Sequence, residues 1–181
     1  MKNIFNYRIA RLLFLIIFIL SNTFFVSAQN LTMGQLLEVR KKTLGDVEDY
    51  LTAKNWEFSA ATEPSLGKMG KATFTFLKNF TSDRAQSFLT YYYSEVSSDT
   101  RINIQVHKKE KYTEYVNAIR AFGCKMISSK VENGQIVKVY RGATTTFEIT
   151  SGTVENEYNE DSAIWTFFIL SNDDYDINWG D

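Results

Sequence analysis

Among 181 residues there is one cysteine, one proline and one histidine, and each scarcity removes a class of explanation. Cys124 has no second thiol to pair with, so no internal disulfide holds the fold and burial has to do so. His107 has no second histidine with which to share a transition metal, and a Cys124–His107 nucleophilic pair lacks the other members of a site. The single Pro64, and the lack of a Pro- or Ser-rich linker, point to compact structure throughout. No G-x-S-x-G, no H-E-x-x-H and no phosphate-cradling glycine loop occurs. Serines and carboxylates are abundant, but none has a spacing that implies paired acid and base work. Nothing in the sequence calls for a cofactor or a metal ligand set.

Long apolar runs are also scarce, except at the start. Lys2, Arg8 and Arg11 precede LLFLIIFIL at 12–20, and the following SNTFFVSA ends in Val26-Ser27-Ala28, with small residues where signal peptidase cuts. The apolar block is short for a bilayer span, and no later segment is apolar enough to cross. Residues 1–28 therefore read as a cleaved signal peptide, with export to the periplasm or beyond and no stable membrane span afterwards. With no cysteine at the cleavage site, there is nothing to carry a lipid anchor.

Removing three bases and no acids from 20 Lys and Arg against 21 Asp and Glu leaves 17 against 21, a formal charge of −4. A nucleic-acid binder would need a basic stripe, so that class is excluded. The mature 153 residues are long enough to bury about 70% of their unfolded surface around one core.

Periodicity organises the rest. LTMGQLLEVRKKTLGDVEDYLTAKN has helical spacing, with Thr32 and Gln35 placed as a capping box and Leu37, Leu44, Val47 and Leu51 on one stripe. A break is expected near Gly45. Strand-like runs follow at 56–60, 72–78, 85–95 and 101–107, the last alternating Ile102, Ile104 and Val106 with Asn103, Gln105 and His107. A second helix is expected over 108–122, carrying Tyr112, Tyr115, Val116 and Ile119, with Gly123 as a left-handed cap. Four more strands are expected at 124–131, 135–141, 144–150 and 163–171. Asn133-Gly134 between the first two is a hairpin signal, since both tolerate the positive φ of a type I′ turn.

The order is thus a helix and four strands, twice: a first αββββ unit at 29–107 and a second at 108–181. An offset of 68 brings Leu44, Val47 and Leu51 onto Tyr112, Tyr115 and Ile119, and Asn55 onto Gly123. It also brings Trp56 onto Cys124, which makes that thiol a buried packing group at the start of a strand. The fold class is α+β, an antiparallel sheet with helices packed on one face.

From Gly142 to Asp181 there are nine acids and no Lys or Arg. EYNED and NDDYDIN offer oxygen ligands to calcium but lack the glycine and distal glutamate of an EF-hand loop. The plainer expectation is a solvated loop and a frayed acidic tail.

Helices on one side of the sheet would cover Phe74, Phe76, Ile102, Ile104, Val106, Phe147 and Ile149, leaving Thr73, Thr75, Asn103, Gln105, His107, Thr146 and Glu148 on the other. Alternation fails at Tyr91-Tyr92-Tyr93 and at Ile164-Trp165-Thr166-Phe167-Phe168, which puts large rings on both sides. Tyr and Trp on an otherwise polar sheet are favoured contact residues. Tyr92, Asn103, Gln105, His107 and Trp165 are accordingly the candidate contacts, toward a protein partner or a second copy of the chain.

The leader ending FVSAQN resembles those of secreted Bacteroidota proteins. The tandem plan over Leu31 to Leu170 resembles the β-lactamase inhibitor protein family and PepSY-like periplasmic proteins. That resemblance implies a curved antiparallel sheet that binds other proteins, sometimes enzymes, across its open face. With Cys124 alone, the inhibitor family's disulfides have no counterpart here. The expected function is that of an exported, non-enzymatic binding module. The alternatives are an extracytoplasmic hydrolase built on carboxylates that meet in space, or a calcium-stabilised structural protein.

Overall fold

Thr32 starts the first helix: its hydroxyl accepts from the Gln35 amide at 3.2 Å while the Gln35 side chain accepts from the Thr32 amide at 2.8 Å. In the computed structural model the described residues are 30–78, 85–155 and 161–179. The chain divides into Met1–Asn30 and Leu31–Asp181. The expected leader lies outside the described residues, and every described helix and strand belongs to the second unit.

The helices are α1 (Met33–Arg40), α2 (Leu44–Thr52), α3 (Lys109–Ala121) and α4 (Asn172–Asn178), and the strands are β1 (Trp56–Thr62), β2 (Gly70–Lys78), β3 (Ala85–Tyr93), β4 (Thr100–Val106), β5 (Lys125–Glu132), β6 (Gln135–Arg141), β7 (Thr145–Glu155) and β8 (Asp161–Ser171). The eight strands form one sheet in the order β1-β2-β3-β4-β8-β7-β6-β5. All neighbours are antiparallel. The architecture is α+β and mostly sheet. Among the described residues, no helix is long and apolar enough to cross a membrane.

The helix break falls at Lys41–Thr43 and not at Gly45. Two sheet side chains cause it: Tyr91 Oη donates to the Lys42 carbonyl at 2.6 Å, and Thr100 Oγ1 donates to the Arg40 carbonyl. Thr43 then caps the next helix. Restarting the helix shifts the apolar stripe, so the buried positions are Met33, Leu36, Val39, Val47 and Leu51. Leu44, expected inside, is 36% exposed. Leu37 is only partly buried.

The cross-strand register fixes which side chains share a face. One continuous row runs Ala72, Tyr91, Ile102, Ile169, Phe147, Tyr140, and each member is buried. These residues belong to a single apolar cluster with Leu36, Val39, Val47 and Leu51 of α1 and α2 and with Tyr115 and Ile119 of α3. Tyr115 ties it together. Its ring stands edge-on to Phe167 with centroids 5.1 Å apart, and its hydroxyl donates to the Leu31 carbonyl at 2.6 Å. The seven residues assigned to the helix side are all in this cluster.

Both outer strands, β1 and β5, are irregular. Each carries a register shift, between Phe58 and Ala60 and between Met126 and Ser128. A bulge flanked by charge, here Lys125 and Lys130, blunts an open edge against pairing with another chain.

The segment NDDYDIN, expected as a frayed tail, is the helix α4. Ser171 caps it by accepting from the Asp174 amide at 3.1 Å, a role open to a serine at the end of a strand.

Cys124 is buried in the core cluster, as Trp56 is. Gly142 leaves the room for it: a β-carbon at that position would lie 2.7 Å from Cys124 Sγ. Gly142→Ala is therefore expected to cost about 1–3 kcal/mol in urea unfolding, the usual penalty for overpacking. Adding Cys124→Ala should recover most of that loss, giving a favourable coupling in the double-mutant cycle. Strictly additive losses would show that the sulfur is not what limits the site.

Candidate binding face

The second sheet face is set by the same register. One row runs Thr73, Thr90, Asn103, Phe168, Glu148, Val139, and the next runs Thr75, Phe88, Gln105, Thr166, Thr150, Val137. Asn103, Gln105, Phe88, Phe168 and Thr166 are half-buried in the middle of the sheet. Toward one end the face continues through Lys71, Tyr92 and Arg101, which are consecutive cross-strand partners.

Of the expected contacts, Tyr92, Asn103 and Gln105 lie on this face. His107 joins them at the end of β4, its Nε2 3.2 Å from Gln105 Nε2. Trp165 does not. It pairs with Val106 and Ser151 on the core side and stacks on Tyr112 of α3, with ring centroids 5.0 Å apart. The strand alternation at 164–168 is regular, and Phe168 is the ring it sends to the open side. Thr75 and Thr146, assigned to the open side, share its parity but are buried. Thr146 gives its hydroxyl to Asn172 Oδ1 at 2.8 Å.

That bond is part of a cover that alternation could not show. The helix α4 engages side chains of this second face at one end of the sheet. Arg101 holds the buried Asp174 through two bonds of 2.7 and 2.8 Å, and Asn178 Nδ2 donates to the same carboxylate at 2.8 Å. Arg141 holds Asp176 at 2.6 and 2.7 Å, which keeps that exposed carboxyl below its ordinary range. The Trp179 ring lies 4.8 Å from the Arg101 guanidinium and edge-on to Phe168 at 5.5 Å. Phe168 also meets Tyr92 edge-on at 5.8 Å. The nine acids without a base were the readable signal: a segment that lacks its own cations draws on arginines elsewhere in the chain.

Two acids of NDDYDIN are thus held by arginines. Among the described residues, no group of three or more His, Cys, Asp or Glu is placed to hold an ion. Residues 157–160 of EYNED lie outside the described residues. Cys124 sits on the core side, and burial pushes its thiol up from its ordinary value. A raised thiol is mostly protonated at neutral pH and is a poor nucleophile. His107 lies with Gln105 on the other face, so the two do not form a pair.

Glu148 is the electrostatic oddity. It stands between Phe168 and Val139, and burial raises its carboxyl above the ordinary carboxylate range, with Lys130 pulling it down and Glu132 pushing it up. No protein-family model, characterised protein or solved structure matches the chain.

A raised native pKa means that the native state binds more protons than the unfolded chain between the two values, so stability falls as pH rises through that window. Glu148→Gln is accordingly expected to raise the melting temperature at pH 7 and to leave it unchanged near pH 4, where the wild-type carboxyl is already protonated. Equal effects at both pH values would show that ionisation of Glu148 carries no strain.

Proposed function

We propose that this chain is an exported, non-enzymatic binding module that meets a protein partner, or a second copy of itself, across the second face of β3, β4, β8 and β7. The observation that carries the reading is the contiguous half-buried patch of Phe88, Tyr92, Asn103, Gln105 and Phe168, drawn from three adjacent strands. Rings among amides suit recognition, because they bring large contact area and directional hydrogen bonding with little conformational entropy to lose. The amphiphilic leader supports export.

The same reading takes the fold as two αββββ units in tandem, and features 68 residues apart support it. Asn55 and Gly123 both have positive φ, 62° and 79°. The bulges at Phe58/Ala60 and Met126/Ser128 coincide under that offset. So do Val47 with Tyr115 and Leu51 with Ile119, all fully buried. The resemblance to sheet-based inhibitor and PepSY-like proteins rests on this layout and points to the same face.

A second reading, a carboxylate-based hydrolase, draws on Glu148 alone, since burial that favours the protonated form of a carboxyl moves it toward the range of a general acid. The binding reading is tested in one experiment. Mature protein is used to capture partners from the native envelope, and its self-association is followed by sedimentation. Asn103→Ala with Phe168→Ala is expected to weaken the captured interaction or the self-association by about tenfold or more, with the fold retained. Trp165→Ala, on the core side, should lower stability and leave binding per folded molecule intact. Loss of binding from Trp165→Ala alone, or none from the face variants, would contradict the reading.

A further inference from the structure

The break between α1 and α2 does more than end a helix. It lines a cleft of about 370 Å³ with Arg40, Lys41, Lys42, Thr43, Ser98 and Thr100. Its lining among the described residues is three consecutive cations and three hydroxyl residues, with no carboxylate. In a chain that carries more acids than bases, this is a local excess of positive charge.

The neighbours offset it only in part. Among the described residues, none of the three cations is ion-paired with a carboxylate. Arg40 Nη2 donates to Thr145 Oγ1 at 3.3 Å, while its Nε is buried and makes no hydrogen bond. A buried guanidinium donor without an acceptor is costly unless something supplies one. Asp174 is near enough for its charge to act on Arg40, yet its oxygens already serve Arg101 and Asn178. Arg101 therefore holds that carboxylate directly, and Arg40 feels it only at longer range. The acceptors native to the joint are also spoken for. The Arg40 and Lys42 carbonyls take the hydroxyls of Thr100 and Tyr91, and Asp46 Oδ2 takes the Thr43 hydroxyl at 2.7 Å. The Tyr91 and Thr100 bonds tether the joint to β3 and β4, so the cations stand on a fixed backbone.

We infer that this cleft binds a phosphoryl or similar oxyanion group, with Arg40 and Lys41 as its principal charged contacts and Ser98 as a hydroxyl donor. The group is taken either from a soluble phosphate ester or from the headgroup of an anionic lipid, since both present the same oxygens to guanidinium and ammonium donors. The site is separate from the sheet face assigned to partner binding and does not depend on it.

The test uses the mature chain and inorganic phosphate, titrated against sodium chloride at matched ionic strength and followed by backbone amide shifts. Saturable shifts at Lys41, Thr43 and Ser98 are expected. Lys41→Gln should weaken the binding about tenfold, the loss of one charge-assisted contact, while Lys125→Gln on β5 should leave it unchanged. Arg40→Gln should act like Lys41→Gln. If its lost bond to Thr145 impairs folding, the exposed Lys41 variant decides alone. Sedimentation with phosphatidylglycerol vesicles, compared with phosphatidylcholine, distinguishes the sources: Lys41-dependent sedimentation assigns the lipid headgroup, and phosphate shifts without sedimentation assign a soluble ester. Shifts that follow ionic strength alone, or that persist undiminished in Lys41→Gln, overturn the inference.

Discussion

The pairing of β4 with β8 is the constraint on which the rest of the structure depends. Strands that are neighbours in sequence pair as meanders on either side of it, β1 to β4 and β5 to β8. Only this seam makes them one sheet, by setting Ile102 against Ile169, Ile104 against Phe167 and Val106 against Trp165. Opened, it would expose two central edges, each a row of unpaired backbone groups beside fully buried apolar side chains. Closed, it lets one apolar cluster take in residues of the sheet and of α1, α2 and α3, and leaves only the bulged strands β1 and β5 at the margins. Its long sequence separation makes it expensive in chain entropy, so local helices and hairpins must supply much of what holds it shut.

Much of this was legible because the governing signals are local. Capping chemistry at Thr32 and Gln35, positive-φ residues at Asn55, Gly123 and Asn133-Gly134, and the two-residue period of RINIQV each act within a few residues. They fixed element type, order and face. Three features escaped for a common reason, that distant side chains decide them. The helix break lies at Lys41–Thr43 because Tyr91 and Thr100, on β3 and β4, take the joint's carbonyls. Trp165 faces the core because Tyr112 of α3 stacks on it, and four large residues among five in a strand do not by themselves reveal which parity is inside. NDDYDIN is helical because Arg101 and Arg141 wait on β4 and β6; alone, a seven-residue acidic segment is too short to hold a helix.

Those arginines also shape the second face. Asp174 is buried and its pair with Arg101 is bidentate, a geometry in which removing either partner costs about 3–5 kcal/mol because the other charge is stranded. The helix α4 is thus held at one end of the sheet, with Trp179 wedged between Arg101 and Phe168. The half-buried patch of Phe88, Asn103, Gln105 and Phe168 lies across the seam itself, with Asn103 and Phe168 as cross-strand partners on it. The surface proposed for recognition therefore exists only while the two meanders are joined, which links the proposed function to the pairing that completes the fold.

Native-state hydrogen exchange tests that link most directly. The amides of β4 and β8 at the seam should exchange with the same free energy as those at the centres of the β2–β3 and β6–β7 pairs, because one cooperative unit must open to release any of them. Seam amides that exchange at a clearly lower free energy, while the two meanders stay protected, would show that the halves part independently and would contradict a single sheet as the basis of the site.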